Sequence, residues 1–277
     1  MRLLALALLA LPPAGAGAPG PVVVVTGATG KTGVLAYRML KERGATVRAF
    51  VRNASKAREL LGCTACDPSE GVFLGDVKDK ASLEPAVKGA DTLVVVTSAF
   101  PICKHGAGGP PQCYYPEGAY PVDVDFHGGK AQITAFAEAN PKGRVVLVST
   151  MGTTNPESFT EKMGNGHIGF YKLNAEAFLM NSGLPFVIIK PCGLVNTPGG
   201  KAELLVGHDD DIDVKPPTVP REDVARVMVE AISRPPAVNL RFDLCSRAGE
   251  PTEADKVLAA AEFPWQRGGQ AAAVLVA

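Results

Sequence analysis

The chain has 277 residues, of which 46% are apolar and 20% charged, with 28 basic and 28 acidic side chains. That length holds one large domain, or one domain with a small appendage, and the composition is that of a globular protein with a sizeable core. Zero formal net charge gives no electrostatic reason to expect nucleic acid or an anionic membrane as partner.

The first twenty residues stand apart. Arg2 precedes the apolar run Leu3–Leu11, then come Pro12-Pro13 and the small-residue stretch Ala14–Ala18. Residues 1–20 read as a signal or targeting peptide, cleaved among residues 14–18. An apolar run this short falls well below the roughly 20 residues a bilayer span needs, so no integral membrane segment is expected after processing. The pattern points to the secretory pathway, with plastid or cytoplasm as the alternative.

Val22–Val25 is an apolar run without polar alternation, which suits a parallel strand buried on both faces. Gly27, Gly30 and Gly33 follow at three-residue spacing, and residues 34–40 read as an amphipathic helix that stops at Gly44. Strand, glycine turn and helix N-terminus make an anion site, because bare backbone lets a pyrophosphate approach free N–H groups at the positive end of the helix dipole.

Residues 46–51 form a second strand that ends at Arg52-Asn53, and a short helix covers 55–61. A third strand over 72–74 ends in Gly75-Asp76, a helix spans 82–88 and a fourth strand 91–97. This alternation implies an α/β fold with a doubly wound parallel sheet. Residues 98–121 interrupt it with Pro101, Pro110, Pro111, Pro116, a glycine cluster and Tyr114, Tyr115 and Tyr120. A loop this long after the fourth strand lies beside the ligand crevice, and we expect a substrate-side lid.

A long helix over 122–139 and a fifth strand over 144–149 follow. After a Gly/Thr/Asn/Pro-rich loop over 150–166, a helix covers 168–181 and a sixth strand 185–190, entering Pro191. A helix near 222–232 and a strand near 239–244 complete a nucleotide-binding domain of residues 21–250, with substrate-side elements from about 191. Residues 251–277 are a C-terminal helix and tail, frayed and apolar over 271–277.

Of the six cysteines, Cys63/Cys66 and Cys103/Cys113 are candidate loop bridges in an oxidising compartment, whereas free thiols are the default in the cytosol. One Cys-x-x-Cys without a nearby histidine pair does not make a zinc site. As a redox dithiol, Cys63/Cys66 lacks the usual strand-to-helix setting. His105, His127, His167 and His208 are scattered, Asp209–Asp211 reads as a solvated turn, and no metal site is expected.

The chain resembles the atypical short-chain dehydrogenase/reductase superfamily, and within it the NmrA-like NAD(P)-binding Rossmann proteins of plants and algae. The likeness runs from about Val22 to Ser246. It rests on Thr26-Gly27-Ala28-Thr29-Gly30-Lys31-Thr32-Gly33, Gly75-Asp76, Val96-Thr97-Ser98-Ala99 and Val148-Ser149-Thr150-Met151-Gly152. Ser182-Gly183-Leu184-Pro185 through Pro191 and Val219-Pro220-Arg221-Glu222-Asp223 fit it too. The resemblance implies a cofactor cradle of Gly27, Thr29, Gly30, Lys31, Thr32 and Gly33. Asp76 and Val77 would meet the adenine, Thr97, Ser98 and Ala99 would pass under the cofactor, and Lys172 and Pro191 would flank it.

The end of the second strand decides the cofactor. An acid there would bind the ribose 2′-hydroxyl of NAD, but the chain offers Arg52, Asn53 and Lys56. A guanidinium pairs bidentately with a 2′-phosphate, so NADP(H) is expected.

Reductases of the superfamily set Tyr-x-x-x-Lys on one helical face, with a serine at the end of the fifth strand. Lys172 and Ser149 fill two of these positions, but Ile168 stands where the tyrosine would be. Tyr171 is about 100° around the helix from Lys172, since 3.6 residues make a turn. Ser149, Lys172 and Tyr171 remain the catalytic candidates, with a loop tyrosine or water as proton source. Two functions follow: an NADP(H)-dependent oxidoreductase on a small carbonyl or aromatic substrate, or a non-catalytic NADP(H)-binding redox sensor or assembly factor. Either would be a monomer or homodimer.

Overall fold

The protein is described here by a computed structural model covering residues 20–104, 112–263 and 265–266. The expected targeting segment before Gly20 and the tail over 271–277 lie outside the described residues.

In chain order the first half comprises β1 (Val22–Thr26), α1 (Gly33–Glu42), β2 (Thr46–Val51), α2 (Ala54–Leu61), β3 (Val72–Leu74), α3 (Lys80–Val87) and β4 (Thr92–Val95). A hairpin of β5 (Ile102–Lys104) and β6 (Gln112–Tyr114) follows, then α4 (Gly128–Ala139), β7 (Arg144–Val148), the short α5 (Phe159–Lys162) and α6 (Ile168–Met180). The last part holds β8 (Phe186–Pro191), β9 (Gly193–Val195), β10 (Glu203–Gly207), β11 (Thr218–Pro220), α7 (Arg221–Ser233), β12 (Leu240–Arg247) and α8 (Ala254–Ala260).

Ten of these strands make one sheet in the order β3-β2-β1-β4-β7-β8-β12-β11-β9, with β10 also paired to β12. Every pairing from β3 to β12 along that order is parallel, and β10 and β11 run antiparallel to β12. This is the doubly wound α/β architecture read from the sequence. The order reverses between β1 and β4, and in such sheets the ligand crevice opens at the strand ends beside that switch.

The apolar strands bury both faces. On one face, Val23, Val25 and Val94 pack against Ala36, Tyr37 and Leu40 of α1 and Val224, Val227 and Met228 of α7. On the other, Val24, Leu93 and Val95 meet Leu83 of α3, Ile133 and Phe136 of α4 and Leu179 of α6. Val23, Val24 and Val25 are wholly buried, each worth about 1.5–3 kcal/mol relative to exposure.

Three features depart from the sequence reading. The long helix expected over 122–139 opens as a π-helical turn over Val122–His127 before α4 begins. The proline-rich loop contains the β5–β6 hairpin, in which Cys103 and Cys113 are direct cross-strand partners joined by a disulfide. Cys63 pairs with Cys66 as the spacing allows, and Cys192, in the bend between β8 and β9, pairs with Cys245 of β12, a link hidden by 53 residues of separation. Among the described residues no helix is long and apolar enough to cross a membrane.

Candidate functional site

The turn after β1 is closed by hydrogen bonds from the Gly30 amide to the Gly27 carbonyl (2.8 Å) and from the Val34 amide to the Gly30 carbonyl (3.0 Å). Each glycine is required for space. Gly27 has φ +72°, and a Cβ there would come within 3.0 Å of the Val96 carbonyl oxygen. A Cβ on Gly33 would sit 2.2 Å from the Gly27 carbonyl oxygen. The first turn of α1 carries no acid, and its N-cap, Thr32, makes no side-chain capping bond. No side chain competes for the first-turn amides, which leaves those not already bonded to the backbone for an anion. This cradle, bare where side chains would obstruct it, fits a dinucleotide pyrophosphate, with Thr29, Lys31 and Thr32 on its rim.

At the end of β2, Arg52, Asn53 and Lys56 are exposed. Asn53 Oδ1 accepts the Lys56 amide (2.9 Å) and caps α2, so this side chain orders the helix that carries Lys56. After β3, Asp76 Oδ1 accepts the Lys78 amide (3.0 Å), while Val77 is buried against Gly128.

The strand ends beyond the switch converge. Thr97, Ser149 and Lys172 line one narrow cavity together with Asp125, Val95 and Ala175. Lys172 Nζ lies 2.8 Å from Asp125 Oδ1, in an ion pair with the carboxylate almost fully buried. The other carboxylate oxygen of Asp125 accepts the Ala99 amide (2.9 Å), so one side chain ties the segment after β4 to α6. Ser149 Oγ donates to Glu176 Oε1, and Arg241 Nε donates to Glu176 Oε2 (2.8 Å). Ser98 is exposed and Pro191 ends β8.

Ile168 is buried at the first residue of α6, one turn before Lys172. Tyr171 turns away from Lys172, packing against Phe126 (6.5 Å between ring centroids) and edge-on to Phe170 (5.3 Å). The loop tyrosines differ among themselves. Tyr114 and Tyr120 are 44% exposed, whereas Tyr115 is 3% exposed and packs with Ala99 and Val124. The Tyr115 hydroxyl is buried without a hydrogen-bond partner. Burial, reinforced by the Asp125 charge, pushes its phenol up to about 12.

A family model described as NAD(P)H-binding matches residues 27–235. The chain belongs to this NAD(P)H-binding family. It is an atypical short-chain dehydrogenase/reductase, as its motifs implied. An uncharacterized chloroplastic protein of Arabidopsis thaliana is 41% identical over 246 residues, covering 85% of this chain and 74% of the relative. Sanguinarine reductase of Eschscholzia californica is 38% identical over 266 residues, covering 85% of this chain and 94% of that one. Among solved structures, the anaerobilin reductase ChuY of Escherichia coli O157:H7 superposes with TM-score 0.60 at 21% identity, covering 83% of this chain and all of ChuY.

Within this NAD(P)H-binding chain, three polar residues escaped the sequence reading. Asp125 sits in the π-helical turn, Glu176 holds Ser149, and Arg241 reaches Glu176 from β12. The sequence signal for Asp125 is an acid just ahead of a glycine-rich helix start, which by itself names no partner. Asp210, read as part of a solvated turn, instead accepts the amides of Gly152 (2.6 Å) and Thr154 (2.8 Å), the Thr154 hydroxyl and Lys190 Nζ (3.2 Å).

Proposed function

We propose that this protein is an NADPH-dependent oxidoreductase acting on a small carbonyl or aromatic substrate, and that it works in the plastid. The observation that carries the activity is Tyr115, a buried phenol with an unpartnered hydroxyl that feels the charge of Asp125, the partner of Lys172. A buried polar group left without a partner costs about 1–3 kcal/mol, and in this reading the substrate oxygen supplies the partner that the Tyr115 hydroxyl lacks. The bound cofactor supplies hydride. Tyr115, protonated throughout the physiological range, holds the proton that a carbonyl oxygen needs and that Ile168 cannot give. Lys172, held by Asp125, offers its remaining N–H donors to the cofactor ribose, and Ser149 is held in place by Glu176.

Cofactor choice rests on Arg52, Asn53 and Lys56, which offer charge and donors to a 2′-phosphate and no carboxylate to a 2′-hydroxyl. The Arabidopsis relative's chloroplastic location favours the plastid over the secretory pathway. In this reading the segments 98–104 and 112–121 and the elements from about 191 border the substrate side. Ile168 favours a second reading, in which the protein binds NADPH as a sensor or assembly factor without turnover.

The test is a titration of NADPH and NADH, followed by NADPH oxidation with sanguinarine and a panel of aromatic aldehydes and quinones. Arg52→Ala should weaken NADPH about ten- to hundredfold, as expected for loss of a charge-assisted contact of about 1.5–3 kcal/mol. Equal affinities for the two cofactors in the wild type would sink the NADPH assignment. Tight NADPH binding with no oxidation by any probe would favour the sensor.

A further inference from the structure

The helix that follows Arg52 and carries Lys56 is weakly anchored. α2 has eight residues and buries one of them, Ala57. A helix this short does not hold itself together in water and depends on what fixes its ends. Its start is capped by Asn53. Its end passes through Gly62, in the left-handed conformation, directly into Cys63. There the Arg38 guanidinium donates to the Leu60 carbonyl (3.0 Å), and Arg58 donates through Nε and Nη2 to the Thr64 carbonyl (3.2 and 3.1 Å). Cys63 is bonded to Cys66, which is 1% exposed and belongs to the same buried cluster as Ala57. The Glu70 carboxylate accepts the amides of Cys66 (2.7 Å) and Thr64 (3.0 and 3.1 Å), and these bonds hold its carboxyl below the usual range. The disulfide thus adds a covalent tie between the end of α2 and the core to these hydrogen bonds.

We infer that Cys63–Cys66 is a redox-active site, opened by a dithiol reductant, whose state sets the affinity of Arg52 and Lys56 for the 2′-phosphate of NADPH. The inference rests on the NADPH reading of the crevice and adds a control to it. Cys63 is the half-buried sulfur and Cys66 the buried one, so a reductant thiolate attacks Cys63. That attack forms a mixed disulfide at Cys63 and releases Cys66 as the thiolate. The reductant's second thiol then displaces Cys63, and the two protons given up by the reductant end on the two cysteines. The reductant leaves as its own disulfide, and two electrons have passed to the protein. Two thiols in the same space must separate. Cys66 is locked in the core and in the Glu70 bonds, so the Cys63 side yields and the end of α2 loosens with it. In a reducing compartment, a disulfide of this kind is a redox-sensing one.

Linkage makes the effect reciprocal: whatever factor reduction costs in NADPH affinity, bound NADPH returns as resistance of the disulfide to reduction.

The experiment uses the full chain carrying Cys103→Ser and Cys113→Ser, so that the hairpin bridge does not contribute. Protein poised oxidised or reduced in dithiothreitol redox buffers is titrated with NADPH and NADH by cofactor fluorescence, and peptide mass mapping fixes the state of each cysteine. Reduction is expected to weaken NADPH at least threefold and NADH by less than half that factor. The midpoint should fall correspondingly in saturating NADPH, by about 14 mV for a threefold change. Cys63→Ser and Cys63→Ala should each behave as the reduced protein does. Equal NADPH affinity in the two states, an equal loss for NADH, or free thiols at Cys63 and Cys66 after oxidation would each overturn the inference. Oxidised protein that does not prefer NADPH would instead overturn the cofactor assignment beneath it.

Discussion

At the scale of single residues, the site turns on a carboxylate with two obligations. Asp125 neutralises Lys172 and satisfies the Ala99 amide. Removing one partner of a buried pair leaves the other charged and unpaired, which typically costs 3–5 kcal/mol. Asp125→Ala is therefore expected to lower stability by about that amount, read as a fall in the urea midpoint at constant slope. An unchanged midpoint would mean that water already serves Lys172. The missing phenol at position 168 makes a second test. Tyr115→Phe should reduce turnover on any carbonyl probe by about 10²–10⁴-fold, the usual contribution of a positioned acid, while leaving NADPH affinity within twofold. Adding Ile168→Tyr puts a phenol one turn before Lys172 and should restore part of the loss. If Tyr115→Phe turns over normally, the proton comes from elsewhere.

At the scale of elements, the β1–α1 turn leaves no room for an added side chain. A methyl on Gly33 would meet backbone, which cannot swing aside as a side chain can. Gly33→Ala should destabilise by about 1–3 kcal/mol and abolish NADPH binding, by thermal melts and cofactor titration. Gly44→Ala, whose Cβ would meet nothing within 4 Å but whose φ is +79°, should cost stability without touching cofactor affinity. These turns, and the βα alternation around them, were legible because strands buried on both faces are unbroken apolar runs and helices end at glycine. The three-residue strands β5, β6, β9 and β11 are too short for any period to emerge, and they lack the flanking motif, Gly75-Asp76, that marked the equally short β3. The π-helical turn was also hidden, since six residues wound with i→i+5 bonds are too few to show a spacing distinct from that of the α-helix they lead into. The cofactor cradle was readable as a local motif. Asp125, Glu176 and Arg241 were not, because each acquires its meaning from a partner that only the fold brings near.

At the scale of the whole molecule, Lys190, Asp210 and Asp243 tie β8 and β12 to the loop that follows β7. Lys190 is wholly buried, 3.2 Å from Asp210 and 3.3 Å from Asp243. Burial opposes the charge of Asp210, yet the Thr154 hydroxyl, the amides of Gly152 and Thr154 and the Lys190 charge together hold its carboxyl below the ordinary 3.8. For Asp243, burial prevails over Lys190 and pushes the carboxyl above that value. A carboxyl lowered by folding stabilises above its unfolded value and loses that contribution as pH falls through the folded one. Asp210→Asn should therefore be less stable than wild type at pH 7, and the gap should narrow below about pH 4. A gap independent of pH would assign the loss to hydrogen bonding alone. β12 also has a consequence for biosynthesis. It is the parallel neighbour of β8, whose six residues are all buried, and it is also the antiparallel partner of β10 and β11. A chain leaving the ribosome has β8 in hand long before residues 240–247 arrive to cover it. In that interval the nascent protein presents an apolar, unpaired strand edge, the kind of surface that draws other chains. A chain stopped at residue 239 should stay bound to holdase chaperones or precipitate, and only synthesis past residue 247 gives the sheet its last partner.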